Sequence, residues 1–425
     1  MQDVELKHDR VRGLLETTGA EALLLQEPSN IAWFTAGADL QRCASDCPAT
    51  SLFVTPEARL FATNSVDSIQ IFEREVYGLG FQLKQREWFQ PHHDLVHDLC
   101  RGRKVLSDRG PVGTKHAGRK IQRLRLPLTE LEVERLRLLS AVAVHAVEAT
   151  AGHLKPGITE AEVAGEISHR LLKRTVFPER IQVIADGRGE RYRHWAFSEQ
   201  PIQNYVVLSC CARRWGLHVG VTRTVCFGDV PPELTSAFQK ALLVHATGMF
   251  FSRGGEAVSD VWKKVQRIYE KFGIGSEWHL ADQASLVGFS LNETQIGPQS
   301  VGEIPVPSAV FWHPSVGPAM MGDTLLCRDS RVEQLTLSSS WPRICVQVKG
   351  RDIPCPGILC HPGSATDVAS ESAASDSARI ERSILNPSDE SGPETLESIW
   401  ELPVPNNAPV WEEDDSPYSH ESVLD

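Results

Sequence analysis

Apolar residues recur along this chain with both strand and helix periods, and the stretch that organises the rest runs from Val206 to Gly228, VVLSCCARRWGLHVGVTRTVCFG. Residues 206–208 and 219–227 are apolar or β-branched, and the turn-forming Arg213-Arg214-Trp215-Gly216 between them predicts a hairpin. Upstream, Val4, Leu6, Val11, Leu14 and Leu15 mark a helix, and short apolar runs at 22–25, 51–54 and 59–62 read as strands. Residues 1–118 therefore read as an α/β domain, with 121–127 expected as a linker. Thr129-Glu130-Leu131-Glu132 has the spacing of a capping box and opens a long helix. The turn Lys155-Pro156-Gly157-Ile158-Thr159-Glu160 starts a second helix, to about residue 173. A strand at 181–185 follows, then, after the hairpin, amphipathic helices at 234–251 and 258–272. Strand candidates return at 285–291, 309–312, 324–327, 332–336 and 344–348.

Length and charge refine this picture. The 425 residues suffice for two domains and a sizeable core. The net charge of -12 is concentrated at one end: from Ser364 on, 15 Asp and Glu stand against Arg379 and Arg382. The rest is near neutral, with 41 basic and 40 acidic residues, which speaks against a nucleic-acid surface. Residues 364–425 carry too few apolar side chains to offset their ordering entropy, so a disordered acidic tail is expected. No apolar run reaches the roughly 20 residues that span a bilayer, and the charged start MQDVELKHDR does not read as a signal peptide. A cytoplasmic protein without membrane contact is expected. Ten scattered cysteines without CxxC spacing predict buried free thiols.

The hairpin with its Thr222-Arg223-Thr224, the 155–160 turn, and the order helices, hairpin, helices, strands over 129–350 resemble the pita-bread family of prolidase, Xaa-Pro aminopeptidase, methionine aminopeptidase and creatinase. The segment Glu27-Pro28-Ser29-Asn30-Ile31-Ala32-Trp33-Phe34-Thr35 resembles the creatinase-type N-terminal domain, which points to the prolidase, Xaa-Pro aminopeptidase and creatinase branch. The resemblance implies an α/β (α+β) protein with a creatinase-like N-terminal domain over 1–118, a pita-bread peptidase-like domain over 129–350 and the acidic tail. It also implies a homodimer, since many relatives pair through that N-terminal domain.

Metal-dependent relatives hold a divalent metal pair with two aspartates, a histidine and two glutamates. By resemblance those five positions fall on Ser209, Gly220, Ser285, His313 and Gly322. None is acidic, and a pair of hard divalent ions needs bridging carboxylates, so no metal cofactor is expected. The small residues at four of the five imply an enlarged cavity. Asp323, beside Gly322, should point to the opposite strand face. Arg223 is expected to support the sheet.

His194 matches the family's first active-site histidine. Creatinase keeps the fold without a metal and hydrolyses a C–N bond with a histidine there as proton carrier, which makes His194 a candidate general acid or base. Glu293 falls where the family places a glutamate beside its second histidine and is the other candidate catalytic group. His279, Asp282 and His313 are candidate binding residues, and His218 lies inside the hairpin. Each also fits an ordinary structural place; only convergence of His194, Glu293 and either Asp282 or His313 on one pocket would raise them together.

Three readings stay open. The favoured one is a metal-free pseudoenzyme that binds a peptide-like, small amide or guanidino ligand. The second is a metal-independent C–N hydrolase of creatinase type using His194 and Glu293. The third is a metal-dependent Xaa-Pro aminopeptidase whose ligands lie at other residues.

Overall fold

In the N-terminal part, six strands form one sheet in the order Gln82–Arg86, Arg59–Asn64, Ser51–Val54, Ala22–Leu25, Val105–Ser107, Thr114–His116. Ala22–Leu25 is buried throughout because both of its faces are covered. Leu23 and Leu25 join the core with Val4, Val11 and Leu15 of helix Gln2–Thr18, while Ala22 and Leu24 pack with Phe53 and Val96. This computed structural model describes residues 1–40, 50–329 and 331–362. The acidic tail expected over 364–425 lies outside the described residues.

The linker expected at 121–127 is instead largely helix, Gly118–Arg125, because Ile121 enters the core and Arg125 is drawn inward to an acidic partner. Thr129 then caps helix Glu130–Ala151 with the reciprocal Thr129–Glu132 box that the sequence announces, and Thr159 with Glu162 does the same for Glu160–Leu172.

Two sheets form the second part. One has the order Ile358–His361, Leu217–Phe227, Tyr205–Arg214, Phe177–Ala185; the other has Thr294–Gln295, Ala284–Val287, Ser308–Trp312, Asp323–Cys327, Val332–Gln334. The hairpin turns on Trp215 and Gly216, whose φ of 53° and 73° give the double left-handed turn that matches strand twist. A Cβ at Gly216 would also meet Ala32 at 2.5 Å, so the turn touches the N-terminal part at a point that admits no side chain. Helices Pro232–Phe251 and Val258–Lys271 cover the second sheet, with Leu234, Val261 and Trp262 packed among Leu286, Val310 and Leu325. Strand Ile358–His361 pairs in parallel with Leu217–Phe227, which carries this domain past the boundary at 350 expected from sequence. Among the described residues no helix is long and apolar enough to cross a membrane. The described cysteines are free thiols.

Candidate functional site

Strand register brings the five candidate ligand positions around one point. On the hairpin Ser209 pairs with Thr222 and Cys211 with Gly220. On the facing sheet Phe311 lies between Ser285 and Thr324, with His313 two residues further on. Gly322 joins the two sheets by accepting from the Thr222 backbone N–H at 2.9 Å.

Protein atoms fill the centre. A Cβ on Gly220 would stand 2.3 Å from Phe311 Cζ, and one on Gly322 would stand 2.2 Å from Thr222 Oγ1, both far inside van der Waals contact. Thr222 Oγ1 donates to Ser209 Oγ at 2.9 Å, and Ser285 Oγ donates to the Leu291 carbonyl at 3.0 Å. The Phe311 ring lies 4.7 Å from that of His313. The enlarged cavity expected from small residues at these positions is thus not what forms, because Phe311, 1% exposed, takes the space that a side chain at Gly220 would need.

The donor set bears on metal binding. Among the described residues no three His, Cys, Asp or Glu side chains are placed to hold a metal ion. Two hydroxyls already engaged with protein, two glycines and one imidazole do not supply the carboxylates of a hard divalent pair, so these residues do not fit one. Asp323 does not substitute, since it faces the other way. Its carboxylate accepts from Thr336 Oγ1 at 2.7 Å and from Arg223 Nη1 at 3.2 Å, and His245 Nε2 lies 3.0 Å away. Burial alone would raise its pKa, but Arg223 and then His245 outweigh that and hold it below the usual carboxylate range.

At the edge of the filled centre a polar group assembles. Asp282 lies between two imidazoles, with Oδ1 3.6 Å from His194 Nε2 and Oδ2 3.7 Å from His313 Nε2. These are ion-pairing distances, longer than hydrogen bonds. His194 is well exposed, whereas His313 is buried, and burial pushes its pKa down to about 4 despite the Asp282 charge. Arg180 stands opposite Cys211 and donates to its Sγ at 3.5 Å, its charge reaches His313, and its Nε is buried without a hydrogen-bond partner. His279 stacks on Trp278 at 3.6 Å and, with Asp282, lines a cavity of about 360 Å³.

Glu293 is not in this group. Its carboxylate is held by Arg125, which donates from Nε at 2.9 Å and from Nη2 at 2.6 Å, and Arg125 also donates to Asn30. The pair is buried and ties the second domain to the first. His218 is likewise engaged, with Nδ1 3.1 Å from the Gly288 carbonyl, and burial lowers its pKa. Of the sequence candidates, then, His194, Asp282, His279 and His313 lie in one neighbourhood, while Glu293 serves the domain junction. Sequence reasoning missed Arg180, whose only signal was a basic residue just before the apolar run 181–185. It also missed Phe311, which had none, since one more aromatic in an apolar strand reads as core.

Residues 134–300 match the model of metallopeptidase family M24. The fold is similar to that of the prolidase from Pyrococcus horikoshii, at TM-score 0.68 and 16% identity over 78% of this chain and 98% of that one. It is also similar to the Xaa-Pro dipeptidase from Bacillus anthracis, at TM-score 0.66 and 15% identity over 84% of this chain and 100% of that one. The X-Pro aminopeptidase from Thermotoga maritima gives TM-score 0.65 and 15% identity, covering 78% and 97% of the two chains. No curated protein matches the chain. Residues 134–300 therefore resemble the M24 metallopeptidase family, and the chain carries the pita-bread fold of the prolidases.

Proposed function

We propose that this M24-type protein binds a peptide-like ligand without dinuclear metal chemistry, at the rim formed by Arg180, His194, Asp282 and His313. The observation that carries this reading is the Phe311 ring in the space of a Gly220 side chain. An acidic ligand there would need the aromatic ring to leave a buried site. At the rim, the positive charge of the half-buried Arg180 suits a ligand carboxylate, and Asp282 suits an ammonium or amide N–H. Both ends of a short peptide would thus find a partner. The reading includes a cytoplasmic homodimer paired through residues 1–118, where Val66, Ile69, Tyr77, Trp88 and Phe89 are exposed.

The test joins metal analysis with calorimetry. Purified full-length protein should hold well under one manganese, zinc or cobalt ion per chain, and binding of Xaa-Pro dipeptides should be insensitive to EDTA. His194→Ala should weaken that binding by roughly tenfold, about the worth of one charge-assisted contact. Near-stoichiometric metal together with metal-dependent cleavage would overturn the reading. The position of Asp282 between two imidazoles favours a second reading, a proton-transferring site of creatinase type. Metal-independent turnover of creatine or a related guanidino compound, abolished in His194→Ala, would establish that one instead.

A further inference from the structure

A second pocket, lined by none of the five candidate ligand positions, opens where the turn after strand Phe177–Ala185 meets the start of helix Pro232–Phe251. Its volume is about 570 Å³, within the size range of small-molecule sites. Tyr205 lines it. This residue is only 6% exposed, and its hydroxyl, which reaches the open space of the pocket, makes no hydrogen bond among the described residues. A Cβ on Gly187 would lie 3.3 Å from the Tyr205 oxygen, so the absence of a side chain there keeps the approach open.

The surrounding charge is negative. Asp186, Glu190 and Glu233 line the pocket, and all three act on the Tyr205 phenol, which burial first and these carboxylates next push up to about 12. Asp186 is fixed by accepting the backbone N–H groups of Gln203, Asn204 and Tyr205 at 2.9, 2.8 and 3.1 Å. Glu190 and Glu233 have no ion-pair partner among the described residues. Glu277, also in the wall, is paired with Arg193 at 2.8 Å, and among the described residues Lys240 is the one cation that lines the cavity. The carboxylates are too spread to form a metal-binding group.

We propose that this pocket binds a small organic ammonium ion, an amine whose N–H groups reach the Tyr205 oxygen and the carboxylates of Glu190 and Glu233. An extended cation satisfies dispersed acceptors that a compact metal ion would not span, and it supplies a donor to the phenol oxygen that faces the pocket without a protein partner. The proposal does not depend on the absence of a metal centre at the rim site.

The experiment is calorimetric titration of the full chain with 1,4-diaminobutane at low salt. Saturable one-to-one binding is expected, with 1,4-butanediol inert. The exposed positions allow Glu190→Gln and Glu233→Gln without risk to the fold, and each should weaken binding about fivefold, the double variant about twentyfold. Tyr205→Phe should weaken it about fivefold with unchanged melting temperature. Absence of saturable binding, or equal affinity in the double Gln variant, overturns the proposal. So does a lysine-rich peptide that binds while the free diamine does not, which would make the cation part of a protein partner.

Discussion

Strand Leu217–Phe227 carries two adjoining polar sets that face opposite ways. Toward the helices, Arg223 donates to Glu148 at 2.8 Å, to Asp323 at 3.2 Å and to the Thr336 carbonyl at 2.5 Å, and Asp323 is further held by Thr336 and His245. Arg223, Glu148 and Asp323 each have a charged partner there. Toward the opposite sheet, the neighbours Gly220 and Thr222 meet Phe311 and Gly322, with no carboxylate at any of the five candidate ligand positions. The difference shows how buried charge is tolerated. A closed network loses balance when one member goes, because its partner is left uncompensated in low dielectric. A face from which every charge is absent leaves nothing to compensate, and an aromatic ring can fill it. The two faces therefore share a backbone and differ in what each can lose.

The comparison can be broken most sharply at the paired face. Arg223→Ala should destabilise the protein by about 3–5 kcal/mol in urea unfolding, because Glu148 and Asp323 lose their common cation. A loss below about 1 kcal/mol would mean the network is not what holds the sheet. The face toward Phe311 responds to pH instead. An unfolded chain protonates a histidine near 6.5, whereas folded His313 takes its proton only at about 4. Between those values the unfolded state binds more protons, so stability falls as pH drops from about 6.5 to about 4, by up to about 3 kcal/mol. His313→Asn should flatten that part of the profile, and an unaltered slope would contradict a buried neutral imidazole. Smallest is the steric test: Gly220→Ala should cost about 1–3 kcal/mol through its clash with Phe311, and Phe311→Leu should recover part of it. Additive behaviour of the two changes in a double-mutant cycle would show that Phe311 does not fill the site.

Much of the scaffold was legible because its signals are local. Thr129 and Thr159 cap their helices within three residues, the Trp215-Gly216 turn sets the hairpin, and the helical spacing of 258–272 matches helix Val258–Lys271 within a residue. The candidate site was legible only in part. His194, Asp282 and His313 come together, but Glu293, assigned to the same chemistry, is taken by Arg125, a partner 168 positions away. The same contact, with Ile121 in the core, gives the expected linker a helix with one buried face. An extended domain boundary escaped for a similar reason, since strand Ile358–His361 is fixed by pairing with a hairpin more than a hundred residues earlier.

By itself the sequence determined the order of helices and strands, their caps, and the chemical poverty of the five ligand positions, since residue identity and near-neighbour geometry suffice for each. Only the tertiary structure decided that Phe311 occupies the space beside Gly220, that Asp282 stands between two imidazoles and that the Tyr205 hydroxyl faces a pocket without a hydrogen-bond partner. Volume filling and charge pairing are properties of groups that meet across the fold, and which groups meet is set by the packing of whole sheets rather than by any local stretch of chain.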